Sequence, residues 1–202
     1  MSVDRGHIRT DNSPIVGNFT ASEILLLETR NAPVAVNVTL FNDPEKKLLD
    51  EHSDFSKVFI KTANAPLYSN ISLVSTAQDH SGGKFLVGAF SSNGPLHVTF
   101  ADAPVDSNLH FKAFTTNSPA IAFMHPTFQG DFVVKSTLFG PKLDVNPDVV
   151  DPSGEGRPRT VDSAKVEKEI VGKVYWGTEE ESKDAFGHAE LGSSLLRALL
   201  KL

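Results

Sequence analysis

The chain has no cysteine among its 202 residues. This absence excludes disulfide bridges, thiolate metal sites and cysteine nucleophiles, but it leaves the redox compartment open. The sequence also lacks any apolar run close to the roughly 20 residues that a membrane helix requires, and its N-terminus lacks the apolar core of a signal peptide. We therefore expect a cytoplasmic protein without a membrane span.

Concentrated positive charge is also missing. The 19 Lys and Arg residues are scattered and are outnumbered by 25 Asp and Glu residues, which gives a formal net charge of -6. Because nucleic-acid binding requires a basic surface that neutralises phosphates, nucleic acid is not expected as a partner.

Common catalytic motifs are absent as well. The sequence contains no P-loop, no His-Glu-x-x-His and no Gly-x-Ser-x-Gly. The residues therefore predict no cofactor and no metal, and they identify no catalytic group. Catalytic side chains can still converge from distant segments, so the question of an enzyme stays open, with a non-catalytic protein favoured.

One short phrase, in contrast, is written four times. Each copy has Thr or Ser, then Asn two residues later and Pro two residues after the Asn. Apolar residues alternate with a period of two on both sides of each copy, which is the period of a β-strand. The sequence therefore predicts an all-β fold made of two-strand units. The Asn and Pro residues of the four copies are Asn31 and Pro33, Asn64 and Pro66, Asn93 and Pro95, and Asn117 and Pro119.

The phrase favours a corner over a tight hairpin. A two-residue type I′ turn needs positive φ at both central residues, whereas Ala32 and Ala65 precede proline and are pushed towards extended conformations. We predict that the Asn adopts a left-handed conformation and that the Pro begins the next strand. Repeated corners predict a single-domain β-solenoid, in which units stack about 4.8 Å apart and the Asn and Pro side chains form columns.

The pattern divides the chain into four parts: an N-terminal arm or cap over 1–17, β-solenoid repeats over 18–145, a surface loop or linker over 146–165, and closing strands or a cap over 166–202. A degraded copy ends at Pro141 and has Phe139 in the place of Asn. Residues 191–202 fit either a short C-terminal helix, from their leucine stripe, or a closing strand, and the strand is slightly favoured.

The motif apolar-x-apolar-x-Thr/Ser-x-Asn-(Ala/Gly/Ser)-Pro-apolar-x-apolar resembles the adhesin-like β-solenoid family, which includes bacterial adhesin-type domains of unknown function and relatives in mushroom-forming fungi. The resemblance covers about Asn18 to Val145 and the last strand. It implies a right-handed coil of short strands, and it implies no catalytic residues.

Four aromatic or imidazole side chains are candidate ligand contacts. Tyr68 and His97 both stand four residues after the Asn of their copy, so stacking brings them together on one outer surface, where a sugar ring can rest. The alternative is an exposed pair without function. Tyr175 and Trp176 follow the long loop and can line a pocket beneath it, or they can cap the exposed end of the coil.

Three functional hypotheses follow. The first is a non-catalytic binding or interaction module on a rigid coil, with an unidentified protein or carbohydrate partner. The alternative is an enzyme, or a binder of small molecules or carbohydrates, with a pocket near the long loop. The third is a homo-oligomer, because unpaired ends of a coil invite strand pairing between chains.

Overall fold

Every regular element in the part of the chain that the structure describes is a β-strand, which confirms the all-β prediction. The structure is a computed structural model, and it describes residues 1–45, 54–180 and 186–202. Residues 191–202 belong to strands and to the corner between them. The strands are β1 (Ser2–Arg9), β2 (Ile15–Glu28), β3 (Val34–Asn42), β4 (Ser56–Lys61), β5 (Leu67–Ser75), β6 (Lys84–Ser91), β7 (Leu96–Asp102), β8 (Asn108–Thr115), β9 (Ala120–Phe123), β10 (Gly130–Ser136), β11 (Lys142–Asp144), β12 (Arg159–Val166), β13 (Glu169–Trp176), β14 (Gly187–Ser193) and β15 (Ala198–Lys201).

The described strands form one open, mostly parallel sheet that consists of two rows. Strands that follow a corner pair in the order β3, β5, β7, β9, β15 and β11, and we call them the after-corner row. Strands that precede a corner pair in the order β4, β6, β8, β14 and β10. The long strand β2 joins the rows, because its residues 15–21 pair with β3 and its residues 24–28 pair with β4. The hairpin of β12 and β13 adds antiparallel strands beside β10, and β1 pairs with β2.

The last unit of the chain does not lie at the end of the sheet. β14 pairs with both β8 and β10, and β15 pairs with both β9 and β11. The C-terminal strands are therefore inserted between the unit of β8 and β9 and the unit of β10 and β11. Order along the sheet departs from order along the chain at this point.

Strict alternation of side chains places the core between the two rows. β3 alternates buried and more exposed residues along its whole length, as its period of two predicts. Parallel pairing in register then stacks equivalent apolar residues on one another, as in the column of Val34, Leu67, Leu96 and Ala120, all of which are buried. Burial of this apolar surface is the main force that holds the rows together.

The Asn residues of the corners form a column through their side chains. Asn64 Nδ2 donates a hydrogen bond to Asn31 Oδ1 at 2.7 Å, and Asn117 Nδ2 donates to Asn93 Oδ1 at 2.6 Å. The predicted left-handed conformation of the Asn is wrong, because among the described non-glycine residues only His80, Asp106 and Glu167 have positive φ. The Asn is therefore used for its amide and not for its backbone freedom.

Two parts of the copy alignment need correction. Thr10–Pro14 is a further copy, since Asn31 Nδ2 donates to Asn12 Oδ1 at 2.8 Å; the predicted arm of residues 1–17 thus contains β1, a corner and the start of β2. The degraded copy is shifted by one residue. Ser136 pairs with Ser193, which pairs with Thr115 two residues before Asn117, so Leu138, and not Phe139, takes the place of the Asn.

The predicted loop of residues 146–165 is shorter in the structure, because β12 begins at Arg159. Of the predicted closing segment 166–202, residues 181–185 lie outside the described residues. The remainder contains β13, β14 and β15, of which β14 and β15 are the inserted unit.

Candidate functional site

The outer surface of the after-corner row is uncharged from β2 to most of β7, and its charged side chains begin at Asp102, which pairs with Ser72, and at Lys201. The outward-facing side chains of β2 over residues 15–21, of β3, of β5 and of β7 up to Ala101 include no Asp, Glu, Lys or Arg, and we call this surface the neutral face. In a chain that is 22% charged, such an area is unusual. Its members are Val16, Asn18, Thr20, Ala35, Asn37, Thr39, Phe41, Tyr68, Asn70, Ser72, Val74, His97, Thr99 and Ala101.

The outer surface of the other row carries charges of both signs. Lys112 Nζ lies 2.8 Å from Glu190 Oε2, and Lys135 Nζ lies within 3.5 Å of carboxylates of both Glu190 and Glu169. The Lys112 and Lys135 ammonium groups hold the pKa of Glu190 below its usual range, so this carboxylate stays ionised. The neutral face therefore differs in charge from the outer surface of the other row.

Polar side chains follow the neutral face in columns. Asn18, Asn37, Asn70 and Thr99 are paired in register on four adjacent strands, and Asn37 Nδ2 donates to Asn18 Oδ1 at 2.8 Å. Adjacent strands lie about 4.8 Å apart, so amide and hydroxyl groups recur at that spacing. This arrangement presents uncharged hydrogen-bond donors and acceptors at a regular spacing.

A row of rings crosses the after-corner row beside these columns. The Tyr68 and His97 ring centroids lie 6.2 Å apart, and His97 stacks on Phe123 at 5.0 Å with an interplanar angle of 17°. Lys201 Nζ lies 4.8 Å from the centroid of the Phe123 ring. Partial burial, with a smaller effect of the Lys201 charge, lowers the pKa of His97, so the imidazole is neutral at neutral pH.

The ring row stops at Tyr68, because the residue in register on β3 is Ala35. A pocket of about 260 Å³ opens there, lined by Ala35, Val36, Asn37, Tyr68, Ser69 and Asn70. Tyr68 is 48% exposed, although its strand is paired on both sides. Apolar ring surface and amide groups therefore meet at one uncharged depression.

A second pocket of about 490 Å³ lies at the start of the long loop. Its polar groups are the Lys201 ammonium and the Asp144 carboxylate, whose Nζ and Oδ2 atoms are 3.5 Å apart, and the Asn146 side chain. The lining residues contain no histidine and no Ser, Thr or Tyr hydroxyl. The full lining consists of Phe123, Met124, Pro126, Asp144, Val145, Asn146, Pro147, Val149, Lys201 and Leu202.

Tyr175 and Trp176 do not line this pocket, although the sequence suggested that they lie beneath the loop. Trp176 is buried, its indole N–H donates to the Pro126 carbonyl at 2.9 Å, and its backbone N–H donates to Gln129 Oε1 at 3.0 Å. Tyr175 is the neighbouring residue on β13 and points to the opposite face. The two aromatic side chains are thus separated, and the tryptophan acts in packing.

The other histidines in the described part of the chain give no metal site. Within the described residues, no group of three or more His, Asp or Glu side chains is arranged to hold a metal ion. Burial lowers the pKa of both His110 and His125, and Asp102 partly offsets this effect at His125. His110 packs edge-on against Phe55, and His125 Nδ1 lies 2.9 Å from Thr127 Oγ1. The contacts of His110 and His125 are therefore those of packing and local hydrogen bonding.

Comparison of the chain with protein-family models, with curated proteins and with solved structures found no match. In the described ranges there is no helix of the length and apolarity needed to cross a bilayer.

Sequence reasoning named Tyr68 and His97 but missed their neighbours. Phe123 and Lys201 belong to units that are adjacent only because the last unit is inserted, so chain order gave no signal for Lys201. Ala35 could have been found from the sequence, because the repeated phrase places this small residue in a column of larger ones.

Proposed function

We propose that the chain is a β-solenoid that acts as a non-catalytic binding module, with a neutral carbohydrate as the partner of its neutral face. The solenoid interpretation is supported by the parallel pairing of successive units in register and by the column of corner amides. It agrees with the resemblance of the repeated motif to adhesin-like solenoids, which stays a prediction.

The observation that carries the binding proposal is the absence of charge from the neutral face, whereas the outer surface of the other row carries ion pairs. A surface kept free of ionised groups avoids the desolvation cost of burying charges against an uncharged ligand. Hydroxyl groups of a carbohydrate can exchange hydrogen bonds with water for hydrogen bonds with the side chains of Asn37, Asn70 and Thr99. Apolar contact area is supplied by Tyr68, which is exposed beside these groups.

The proposal is tested by placing a charge on the neutral face. Purified protein is measured by calorimetry against β-1,4-linked glucose and N-acetylglucosamine tetramers and by sedimentation with cellulose, chitin and β-1,3-glucan. Asn70→Glu is expected to weaken binding about tenfold or more, whereas Lys61→Glu, on an exposed site of the opposite row, leaves it within about twofold. Absence of binding to every one of these glycans, or equal loss in the two variants, would overturn the proposal.

A second candidate function is small-molecule binding in the pocket near the long loop. The observation in its favour is a cavity of about 490 Å³ that combines apolar walls with the Lys201 and Asp144 pair. We favour binding over catalysis, because the lining residues include no hydroxyl or imidazole side chain, and their one amine, that of Lys201, is paired with the Asp144 carboxylate. A thermal-shift screen with a metabolite library tests it, and a hit whose stabilisation survives in Lys201→Met and in Phe123→Ala would contradict this location.

A further inference from the structure

The column that contains Ala35 has a gap about one ring thick. Ala35 pairs in register with Val16 on β2 and with Tyr68 on β5, so an alanine methyl lies between two larger side chains. Two strand spacings separate those larger residues by about 10 Å. Van der Waals contact needs about 3.5 to 4 Å on each side of a ring, so one ring fits between them.

The gap lies at the free end of the ring row. His97 stacks on Phe123, and Tyr68 packs at an angle against His97, so the faces between these rings are already used. On its other side Tyr68 borders the pocket together with Ala35, and the residue as a whole is 48% exposed. An added ring would extend a row that the chain itself begins.

The exposed polar side chains beside Tyr68 at this gap are amides. Asn37 and Asn70 line the same pocket and are both exposed, and none of the six lining residues is charged. Asn37 uses one N–H in its bond to Asn18 Oδ1, so its carbonyl oxygen and its second N–H remain for other partners. A ligand that fits this gap therefore needs one apolar face and uncharged hydrogen-bond donors and acceptors at its rim.

We propose that this gap is a subsite for a single pyranose ring. The C–H face of the sugar packs on the Tyr68 ring, Ala35 forms the floor, and equatorial hydroxyls exchange hydrogen bonds with Asn37 and Asn70. A β-linked glucose or N-acetylglucosamine unit fits best, because its axial hydrogens on one side form a continuous apolar face. The inference rests on the proposed carbohydrate function and names the position and the ring that it uses.

The sharpest test fills the gap with a side chain. Ala35 is exposed, so Ala35→Phe can place a phenyl ring where the sugar would lie without entering the core. Binding of β-1,4-linked tetramers is expected to fall about tenfold or more in Ala35→Phe and to stay within about twofold in Ala35→Ser, which keeps the gap.

A spectroscopic readout locates the ring directly. With methyl β-glucopyranoside and methyl β-N-acetylglucosaminide as probes, the axial H1, H3 and H5 signals should shift upfield through the Tyr68 ring current and lose that shift in Tyr68→Ala. If Ala35→Phe does not fold, the comparison of the wild-type protein with Tyr68→Ala still tests the proposed subsite.

The outcomes separate the two proposals. Tetramer binding that is lost in Asn70→Glu but unchanged in Ala35→Phe and Tyr68→Ala would keep the neutral face and overturn the subsite. Binding of indole at Tyr68 without binding of any sugar would overturn the pyranose assignment. No binding of any glycan to the wild-type protein would overturn both.

Discussion

The side-chain amide of Asn93 donates a hydrogen bond to the Oδ1 atom of Asn64 at 2.6 Å. The same relationship joins five corners of the chain, and every amide donates in the same direction, towards the N-terminal unit. Hydrogen bonds aligned in this way polarise one another, so an interior member of the chain contributes more than a terminal one. The series ends at Asn117, because the next unit has Leu195 at this position.

Asn64→Ala should therefore destabilise the protein more than Asn117→Ala. The first substitution removes two amide hydrogen bonds and the second removes one, at about 0.5–1.5 kcal/mol for each bond. The free energy of unfolding from urea titrations measures the difference. Equal losses in the two variants would show that the amide chain adds nothing beyond the backbone bonds of the corners.

Gly94→Ala is expected to be destabilising, although two other copies of the motif have alanine at this position. A methyl group on Gly94 would overlap the carbonyl oxygen of Ala65 and approach Pro66 N to 2.8 Å, so the backbone of one corner must move. Such overpacking costs about 1–3 kcal/mol. Thermal unfolding measures the effect.

The matched control for Gly94 is Ala65→Gly, the reverse change in the preceding copy. It creates no overlap and should cost only the backbone entropy of glycine and the burial of one methyl group, about 1–2 kcal/mol. A Gly94→Ala protein as stable as the wild type would mean that adjacent corners are less tightly packed than the structure has them.

The all-β class and the existence of a corner could be predicted from the sequence, because both depend on a local period and a local phrase. The role of the Asn could not, since its amide bonds join residues about 20 to 30 positions apart and leave its own backbone ordinary. The insertion of the last unit could not be predicted from the sequence either. Nothing in residues 187–202 specifies that β14 pairs with β8 and β10 at once.

For the same reason, only part of the candidate site could be predicted from the sequence. Tyr68 and His97 are neighbours through a regular register, which the repeated phrase provides. Phe123, in contrast, contacts His97 from a position two residues beyond the partner of His97 in register, and Trp176 donates hydrogen bonds to Pro126 and Gln129 of a distant segment. Contacts between side chains that are offset along neighbouring strands are not encoded by any periodic pattern.

Asp151 should make the loop before β12 sensitive to acid. This buried carboxylate accepts hydrogen bonds from the backbone and guanidinium of Arg157 and from Ser153, and the Arg157 guanidinium holds the pKa of Asp151 well below its usual value of 3.8. A depressed pKa in the folded state gives stability that is present above about pH 4 and is lost as the pH falls further.

Hydrogen exchange of the Arg157 amide, which bonds to Asp151 Oδ2, measures this effect at the loop itself. Asp151→Asn should remove the acid dependence and cost about 2 kcal/mol of protection near neutral pH, since hydrogen bonds to a charged group contribute about 1.5–3 kcal/mol. Protection of Arg157 that is the same in Asp151→Asn would contradict the assignment.

Arg159 and Arg157, two residues apart, should respond in opposite ways to the same substitution. All three guanidinium nitrogens of Arg159 are buried and have no hydrogen-bond partner among the described residues, and the group lies 5.7 Å from the Trp176 ring centroid. Burial lowers the pKa of Arg159, which is the direction expected for an unpaired cation. Arg157, in contrast, has Asp151 as its partner.

Arg159→Met keeps most of the packed length of the side chain and removes the uncompensated charge. It should therefore raise the free energy of unfolding by about 1–3 kcal/mol, whereas Arg157→Met should lower it. Loss of stability in both variants would mean that the contact of Arg159 with Trp176 outweighs the cost of burying its charge.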